Sequence, residues 1–261
     1  MKKFKNIKFS ITEEGTARII LNDPKTYNSL SFETINSLSA IFKFLNNDKK
    51  SKVIIIEGGG KGFSAGHNLK EIQLLKNRTA YKKLFTHCSK LMLQITNHRK
   101  PIIAKVHGAA FAAGCQLVAS CDLAFSTSNA IFATPGVNIG LFCSTPMVAL
   151  SRKINRKNSM KMLLTGEPIK ASYAKEIGLI NDFFSSIKLE AEVVKIAKVI
   201  ASKSNLVLKF GKSAFYKQLE MPIDKAYKYT SEVMVQNMMS VDAKEGINAF
   251  IEKRLPVWKN K

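Results

Sequence analysis

Apolar positions along this chain follow two alternating rhythms. Short runs rich in β-branched residues occupy 17–22 (ARIILN), 52–58 (KVIIIEG), 101–108 (PIIAKVHG) and 121–127 (CDLAFST), the pattern of buried strands. Between them lie amphipathic stretches. In 30–45, Ser31 and Glu33 open a helix whose Ile35, Leu38, Phe42 and Leu45 recur at three- and four-residue steps, and 81–95 repeats that spacing. Strand–helix alternation predicts a largely parallel α/β core. From about residue 154 the pattern is helical throughout: 156–164, 171–177, 189–202, 207–219, 223–239 and 243–253. The chain is therefore read as an α/β core, 1–184, followed by a helical region, 185–261, docked on the core or on a neighbouring subunit. Val233, Met234, Met238 and Met239 exceed what one core-facing stripe needs, which predicts self-assembly.

Composition narrows the function classes. The formal charge of +22 comes mostly from lysines scattered through 261 residues, without the patch or stripe that nucleic acid requires, so attraction of small anions is the expected use. Cys88, Cys115, Cys121 and Cys143 lie in or beside apolar stretches with no C-x-x-C spacing, which predicts buried thiols and neither a metal site nor a disulfide framework. No signal-type apolar segment follows the opening lysines and no run of about 18 apolar residues occurs, so no membrane span and a cytoplasmic location are expected.

The chemistry is concentrated in two bare turns. Residues 56–72, IEGGGKGFSAGHNLKEI, run from a strand through a glycine-rich turn towards a helix beginning at Leu69. The spacing fits neither a dinucleotide fingerprint nor a P-loop. A second junction of this kind follows at 106–120, where Ala109, Ala110, Ala112, Ala113 and Gly114 lead into a helical run. Two strand-to-helix turns without bulky side chains can aim unpaired main-chain N–H groups at one oxygen that is gaining negative charge. Tight helix–sheet packing favours the same small residues, so the pattern alone leaves both explanations open.

The segments LNDPKTYNSLS, GFSAGHNLKEI, GAAFAAGCQLVASCDLAF, FATPGVNIGL, LLTGEPIKASYAKEIGLIN and EGINAFIEKRLPVW together resemble, in order and spacing, the crotonase superfamily of enoyl-CoA hydratases and isomerases. Among its members the chain is most similar to the enoyl-CoA hydratase domain-containing paralogues. The resemblance implies an α/β crotonase (ClpP-like) spiral of repeated ββα units whose C-terminal helices assemble a homotrimer or a hexamer built as a dimer of trimers. It implies an acyl-CoA substrate, with coenzyme A entering as part of the thioester and no covalently bound cofactor or metal. Position by position, it implies an oxyanion hole from the amides of His67 and Ala113. It implies coenzyme A contacts from Lys25, Thr26 and Tyr27, from Ala65, Gly66, His67, Asn68 and Leu69, and from Phe250 and Lys253.

The departures from the family pattern are chemical. Hydratases of this family carry glutamates in G-C-E-L and Q-P-E, whereas this chain has Gln116 and Gly136 in those slots. Hydrating a 2-enoyl thioester needs one group to take a proton from water and another to deliver one to Cα. Gln116 can orient water but has no proton to exchange, and Gly136 offers no side chain. Asp122, Glu71 and Glu167 each have a local structural explanation, and His107 is expected to be a structural histidine. The expected activity is therefore enolate stabilisation without the usual hydratase acid–base pair. A CoA-thioester decarboxylase, as suggested by the similar SAGH of the methylmalonyl-CoA decarboxylase branch, an isomerase and a non-catalytic acyl-CoA-binding protein are the alternatives.

Overall fold

The computed structural model describes residues 4–261. Its main sheet has six strands: β1 (Ile7–Ile11), β2 (Thr16–Leu21), β3 (Val53–Gly58), β4 (Ile102–Val106), β6 (Leu123–Thr127) and β9 (Asp182–Phe184). They lie in the order β1-β2-β3-β4-β6-β9, antiparallel only between β1 and β2. A small second sheet orders β5 (Ala109–Phe111), β7 (Ile131–Ala133) and β8 (Ile169–Lys170). The predicted strands all form, displaced by one or two residues at their ends. The hairpin strand β1 and the three-residue strands β5, β7 and β9 had not been read from the pattern. They are too short, or too interrupted by lysine, to show a period of two.

Alternation assigns the two faces of the main sheet. Ile54 and Ile56 of β3 and Ile102, Ala104 and Val106 of β4 enter the larger core with α1 (Phe32–Asn47) and α3 (Arg78–Thr96). Val53, Ile55, Ile103 and Phe125 face the other way and are covered by α8 (Ser186–Ala201) through Leu189, Val193, Ala197 and Ala201. Strands buried on both faces read as continuous apolar runs, as 53–56 does. The 184/185 boundary drawn from the sequence falls between β9 and α8.

The ββα repetition is visible in the short pairings. β4 leads through β5 into α4 (Ala113–Ser120), and β6 leads through β7 towards α5 (Ser144–Leu150). β3 leads through Ser64 into α2 (Leu69–Leu74), and successive turns pair through Leu30 with His67, Ser64 with Ala110, and β5 with β7. Each repeat thus carries the next repeat's turn at its own strand end. α7 (Ala171–Glu176) packs on the small sheet, and α6 (Arg156–Thr165) packs on the 3₁₀ turn Pro135–Ile139. Beyond α8, α9 (Asn205–Gln218), α10 (Ile223–Met238) and α11 (Val241–Ile251) pack on one another. α9 is anchored to the core by Lys212, whose Nζ donates to Asp122 at 2.7 Å, and by Tyr216, whose hydroxyl donates to the same carboxylate at 2.9 Å. No helix among the described residues is long and apolar enough to cross a membrane.

On the α8 face, Glu57 and Lys105, paired across β3 and β4, join Arg18 and Glu190 in a four-charge network. Arg18 donates to Glu57 at 2.7 Å and to Glu190 at 2.7 Å. The hydrogen bond from Arg18 holds the Glu190 carboxyl down to about 2 from an ordinary value of 4.5, with Lys105 assisting and partial burial opposing. A depressed folded-state value means that this stabilisation is complete above pH 4.5 and is lost as pH falls towards 2. Glu190→Gln should therefore destabilise the protein by about 1 kcal/mol at neutral pH, since the carboxylate is half-exposed. The difference from the parent should close below the ordinary carboxylate range. Denaturant titrations at neutral and acid pH check this, and a gap that widens in acid would contradict it.

Candidate active site

The glycine-rich turn and the second bare turn meet. Phe63 and Ser64 both donate to the Ala109 carbonyl, at 3.0 and 3.1 Å, and Phe111 returns a bond of 2.9 Å to the Ser64 carbonyl. This approach works because neither partner carries bulk. A Cβ on Gly66, where φ is +90°, would lie 2.9 Å from the Phe111 carbonyl oxygen and 3.1 Å from the Ala113 nitrogen. One on Gly114 would lie 2.3 Å from the Ser64 carbonyl oxygen. Asn28 staples the first turn to the preceding repeat: its buried Nδ2 donates to the Gly59 and Gly62 carbonyls, both at 2.8 Å. Nothing in the sequence pattern singled out Asn28, whose partners lie more than thirty residues away.

The amides of His67 and Ala113 take no hydrogen-bond acceptor among the described residues. Ala113 is the first residue of α4, where helix geometry leaves the N–H free and the dipole favours negative charge. Ala112, just before it, sits at φ 48° and ψ −116°, a strained conformation for a residue with a side chain, held by its amide bonding to the Ala133 carbonyl at 2.9 Å. The His67 ring is committed elsewhere. Its Nδ1–H donates to the Leu30 carbonyl at 3.3 Å, it packs nearly perpendicular to the Phe85 ring, and its buried Nε2 has no partner among the described residues. Burial lowers its pKa and keeps the ring neutral.

The structure brings two of the three expected coenzyme A segments together. Lys25 and Thr26 lie on a 3₁₀ turn, Pro24–Thr26, closed by Tyr27 at φ 52°, and the Tyr27 carbonyl accepts from the Ala65 amide at 2.9 Å. Leu30 donates to the Gly66 carbonyl at 2.7 Å, and Asn68 caps α2, whose first residue, Leu69, is exposed. Phe250 lies on α11, which packs against α9 and α10, and Lys253 follows its end. Phe250 is 85% exposed, so none of the described residues covers it.

The two acid slots are not equivalent. Gln116 is buried in α4, its Nε2 donating to the Thr145 carbonyl at 3.1 Å, and the Cys88 thiol lies 4.0 Å from its Oε1. Gly136 is buried in the 3₁₀ turn Pro135–Ile139. A Cβ there would lie 2.5 Å from the Leu141 carbonyl oxygen and 2.9 Å from the Cys143 sulfur. The backbone of 141–143 therefore fills the space a side chain at 136 would enter, which residue spacing could not reveal. All four cysteines are free and buried. Burial raises the pKa of Cys143 and pushes Cys115 up to about 12, so both stay protonated.

Two of the other acids and His107 have structural duties. Glu71 accepts the Phe32 amide at 2.9 Å and so caps α1 from α2, Asp122 anchors α9, and Nε2–H of His107 donates to the Gly60 carbonyl at 2.8 Å. No three His, Cys, Asp or Glu side chains among the described residues could jointly hold a metal ion.

With this geometry in hand, comparison with known proteins is decisive. The family profile described as enoyl-CoA hydratase/isomerase matches residues 11–261. The chain belongs to the enoyl-CoA hydratase/isomerase family. It is 47% identical over 246 residues to the mitochondrial enoyl-CoA hydratase domain-containing protein 3 of Rattus norvegicus, covering 94% of this chain and 82% of that protein. It is 30% identical to the short-chain-enoyl-CoA hydratase of Clostridium acetobutylicum, covering 94% of each. Among solved structures, an enoyl-CoA hydratase of Mycobacterium smegmatis superposes with a TM-score of 0.95 at 42% identity, covering 97% of this chain and 98% of that one. Human enoyl coenzyme A hydratase domain-containing protein 3 superposes with a TM-score of 0.94 at 45% identity, covering 97% and 100%. The fold is the crotonase α/β spiral.

The cytoplasmic expectation is corrected. The rat, mouse and human relatives are named mitochondrial, which points to the mitochondrion. The sequence test had looked for an apolar secretory segment, whereas mitochondrial targeting uses amphipathic basic segments that this test does not detect.

Gly66→Ala should cost at least about 2 kcal/mol, from a positive φ and a forced separation of the two turns. It should also abolish acyl-CoA binding in whatever fraction stays folded. Thermal denaturation with calorimetric titration of acetyl-CoA measures both, and a stable variant that binds normally would refute the contact as essential.

Proposed function

We propose that this chain binds an acyl-CoA thioester and stabilises its enolate through the main-chain N–H groups of His67 and Ala113, with little hydratase activity. The observation that carries this reading is the pair of acceptor-free amides on two turns that touch each other through Gly66. Two donors aimed at one thioester oxygen stabilise it most when it carries the enolate's negative charge. Gln116 acts by orienting a polar group of the acyl portion or a water, its carboxamide positioned by Thr145. Gly136 contributes room only for the 141–143 backbone. Hydration lacks both its base and its acid, and isomerisation of an enoyl thioester would need the same kind of group to take the Cα proton, so the supported chemistry is decarboxylation of a CoA thioester: the C–C bond to the carboxylate breaks, CO2 leaves, its electron pair becomes the enolate, and water returns a proton to Cα. The mitochondrial names of the relatives agree with thioester metabolism in that compartment.

Lys25, Thr26, Tyr27 and the turn from Ala65 to Leu69 hold the coenzyme A portion, lysine acting as a point charge on phosphate. Phe250 and Lys253 complete the pocket of a neighbouring copy. This is supported by the exposure of Phe250 and by the exposed Met234, Met238 and Met239 on and just after α10. The assembly is a homotrimer or a dimer of trimers.

Incubating the pure protein with crotonyl-CoA, a 3-enoyl-CoA and methylmalonyl-CoA should give decarboxylation of the last above background, with hydration of the first and isomerisation of the second near background. Hydration at rates typical of enzymes would overturn the reading. Gln116→Glu alone should raise hydration about tenfold, a small part of a general acid–base contribution. Gly136→Glu should instead destabilise the fold by about 3 kcal/mol through collision with the Leu141 carbonyl. A double variant that hydrates efficiently and melts normally would contradict the slot geometry. Sedimentation equilibrium at micromolar concentration should give a multiple of three chains, and Lys253→Ala should weaken coenzyme A binding without altering that mass. A monomer that binds coenzyme A as the parent does would exclude the shared pocket.

A further inference from the structure

On the α8 side of the main sheet, where the chain leaves β3 and β4 for the two bare turns, an open cavity of about 380 Å³ lies at the ends of β3, β4 and β6. Ligands of parallel α/β sheets enter at this carboxyl edge. The cavity is bounded by Lys61, Lys105, His107, Thr127, Asn129 and the first turn of α8. The carboxylates of Glu57 and Glu190 also line it, but each is paired with both Arg18 and Lys105, so that two cations balance two anions. The charge left over is that of Lys61.

Three kinds of donor around this cavity have no partner. Ser185 precedes the sixteen-residue helix α8 without capping it through its side chain, and the amides of Ser186 and Ile187 have no acceptor among the described residues. Lys61 is exposed and forms no ion pair among the described residues. Thr127 is the independent signal. Alternation puts it on the same face as Phe125, beneath α8, and it is 96% buried by its 4% exposure, yet its hydroxyl has no hydrogen-bond partner among the described residues. An unpaired buried hydroxyl costs stability, and valine would fill the same shape at no such cost. A hydroxyl retained there, at the floor of a cavity rimmed by free amides and a lysine, calls for an acceptor brought from outside.

We propose that this cavity binds a small phosphate-bearing anion, independently of the acyl-CoA site. Amides at a helix N-terminus and a lysine are the donor set that recognises phosphate, and the volume leaves room for a small organic portion beyond the phosphate group. The anion accepts from the Ser186 and Ile187 amides, from Lys61 and from the Thr127 hydroxyl, while Arg18 and Lys105 keep the two carboxylates neutralised. The site lies on the α8 face, whereas Ala113 and the rest of α4 belong to the opposite core, so the two ligands do not share a pocket.

Calorimetric titration of the intact protein with inorganic phosphate and with glycerol 3-phosphate tests this, each in the absence and presence of saturating coenzyme A. Saturable binding of both is expected, glycerol 3-phosphate at least as tight, and unchanged by coenzyme A. Thr127→Val should weaken phosphate at least about tenfold, the loss of one hydrogen bond to a charged group, while leaving coenzyme A binding as in the parent. Without anion this variant should melt no lower than the parent, since it removes an unpaired polar group. Lys61→Ala, a surface change that does not threaten folding, should also weaken phosphate. No saturable binding across the millimolar range would overturn the proposal. So would displacement of phosphate by coenzyme A, or parent-like phosphate affinity in both variants.

Discussion

The close contact between the 63–66 segment and the 109–114 segment is the constraint on which the rest depends. It is a backbone-to-backbone contact: Phe63, Ser64, Ala109 and Phe111 exchange main-chain hydrogen bonds, and Gly66 and Gly114 leave no side chain in the interface. Hydrogen bonds of this kind contribute only about 1 kcal/mol each. Their importance is geometric, because they fix where the His67 and Ala113 amides point. The strain at Ala112 is a cost of that geometry, tolerated because the Ala133 carbonyl of the next repeat holds its amide.

The same spiral logic places the remaining parts. Since each repeat pairs its short strand or bridge with the next, the Lys25–Tyr27 loop of the first repeat is tied to Ala65 of the second, and the second to Ala110 of the third. Polar side chains buried at these junctions bond backbone from distant repeats, as Asn28 does with Gly59 and Gly62, and Glu71 with Phe32. The helical end is joined to the sheet through Asp122, which collects Lys212, Tyr216 and the Ile102 amide. Burying one carboxylate is costly unless it is paired and hydrogen-bonded, and all three partners are present.

A hole whose two proton-transfer slots hold glutamine and a glycine packed beneath its own loop is a coherent chemical object. A backbone hole stabilises an enolate without any titratable group. Keeping neutral thiols at Cys115 and Cys143 and a neutral ring at His67 nearby adds no charge that would compete with it. The family supplies the scaffold, and in the proposed function the identity of residues 116 and 136 decides which reactions it can run.

By itself the sequence determined the strands and helices long enough to show a period, the two bare turns, and the chemistry absent from Gln116 and Gly136, because these are properties of residue type and local spacing. Lys25, Ala65 and His67 could be named as neighbours only through family resemblance, since main-chain bonds between turns forty residues apart leave no periodic trace. Tertiary structure alone decided that the Gly136 slot is closed by Leu141 and Cys143, and that Phe250 is left exposed on α11. It alone decided that the Thr127 hydroxyl has no hydrogen-bond partner among the described residues. Those facts depend on the distance between atoms far apart in sequence, which excluded volume and hydrogen-bond geometry set only once the chain has packed.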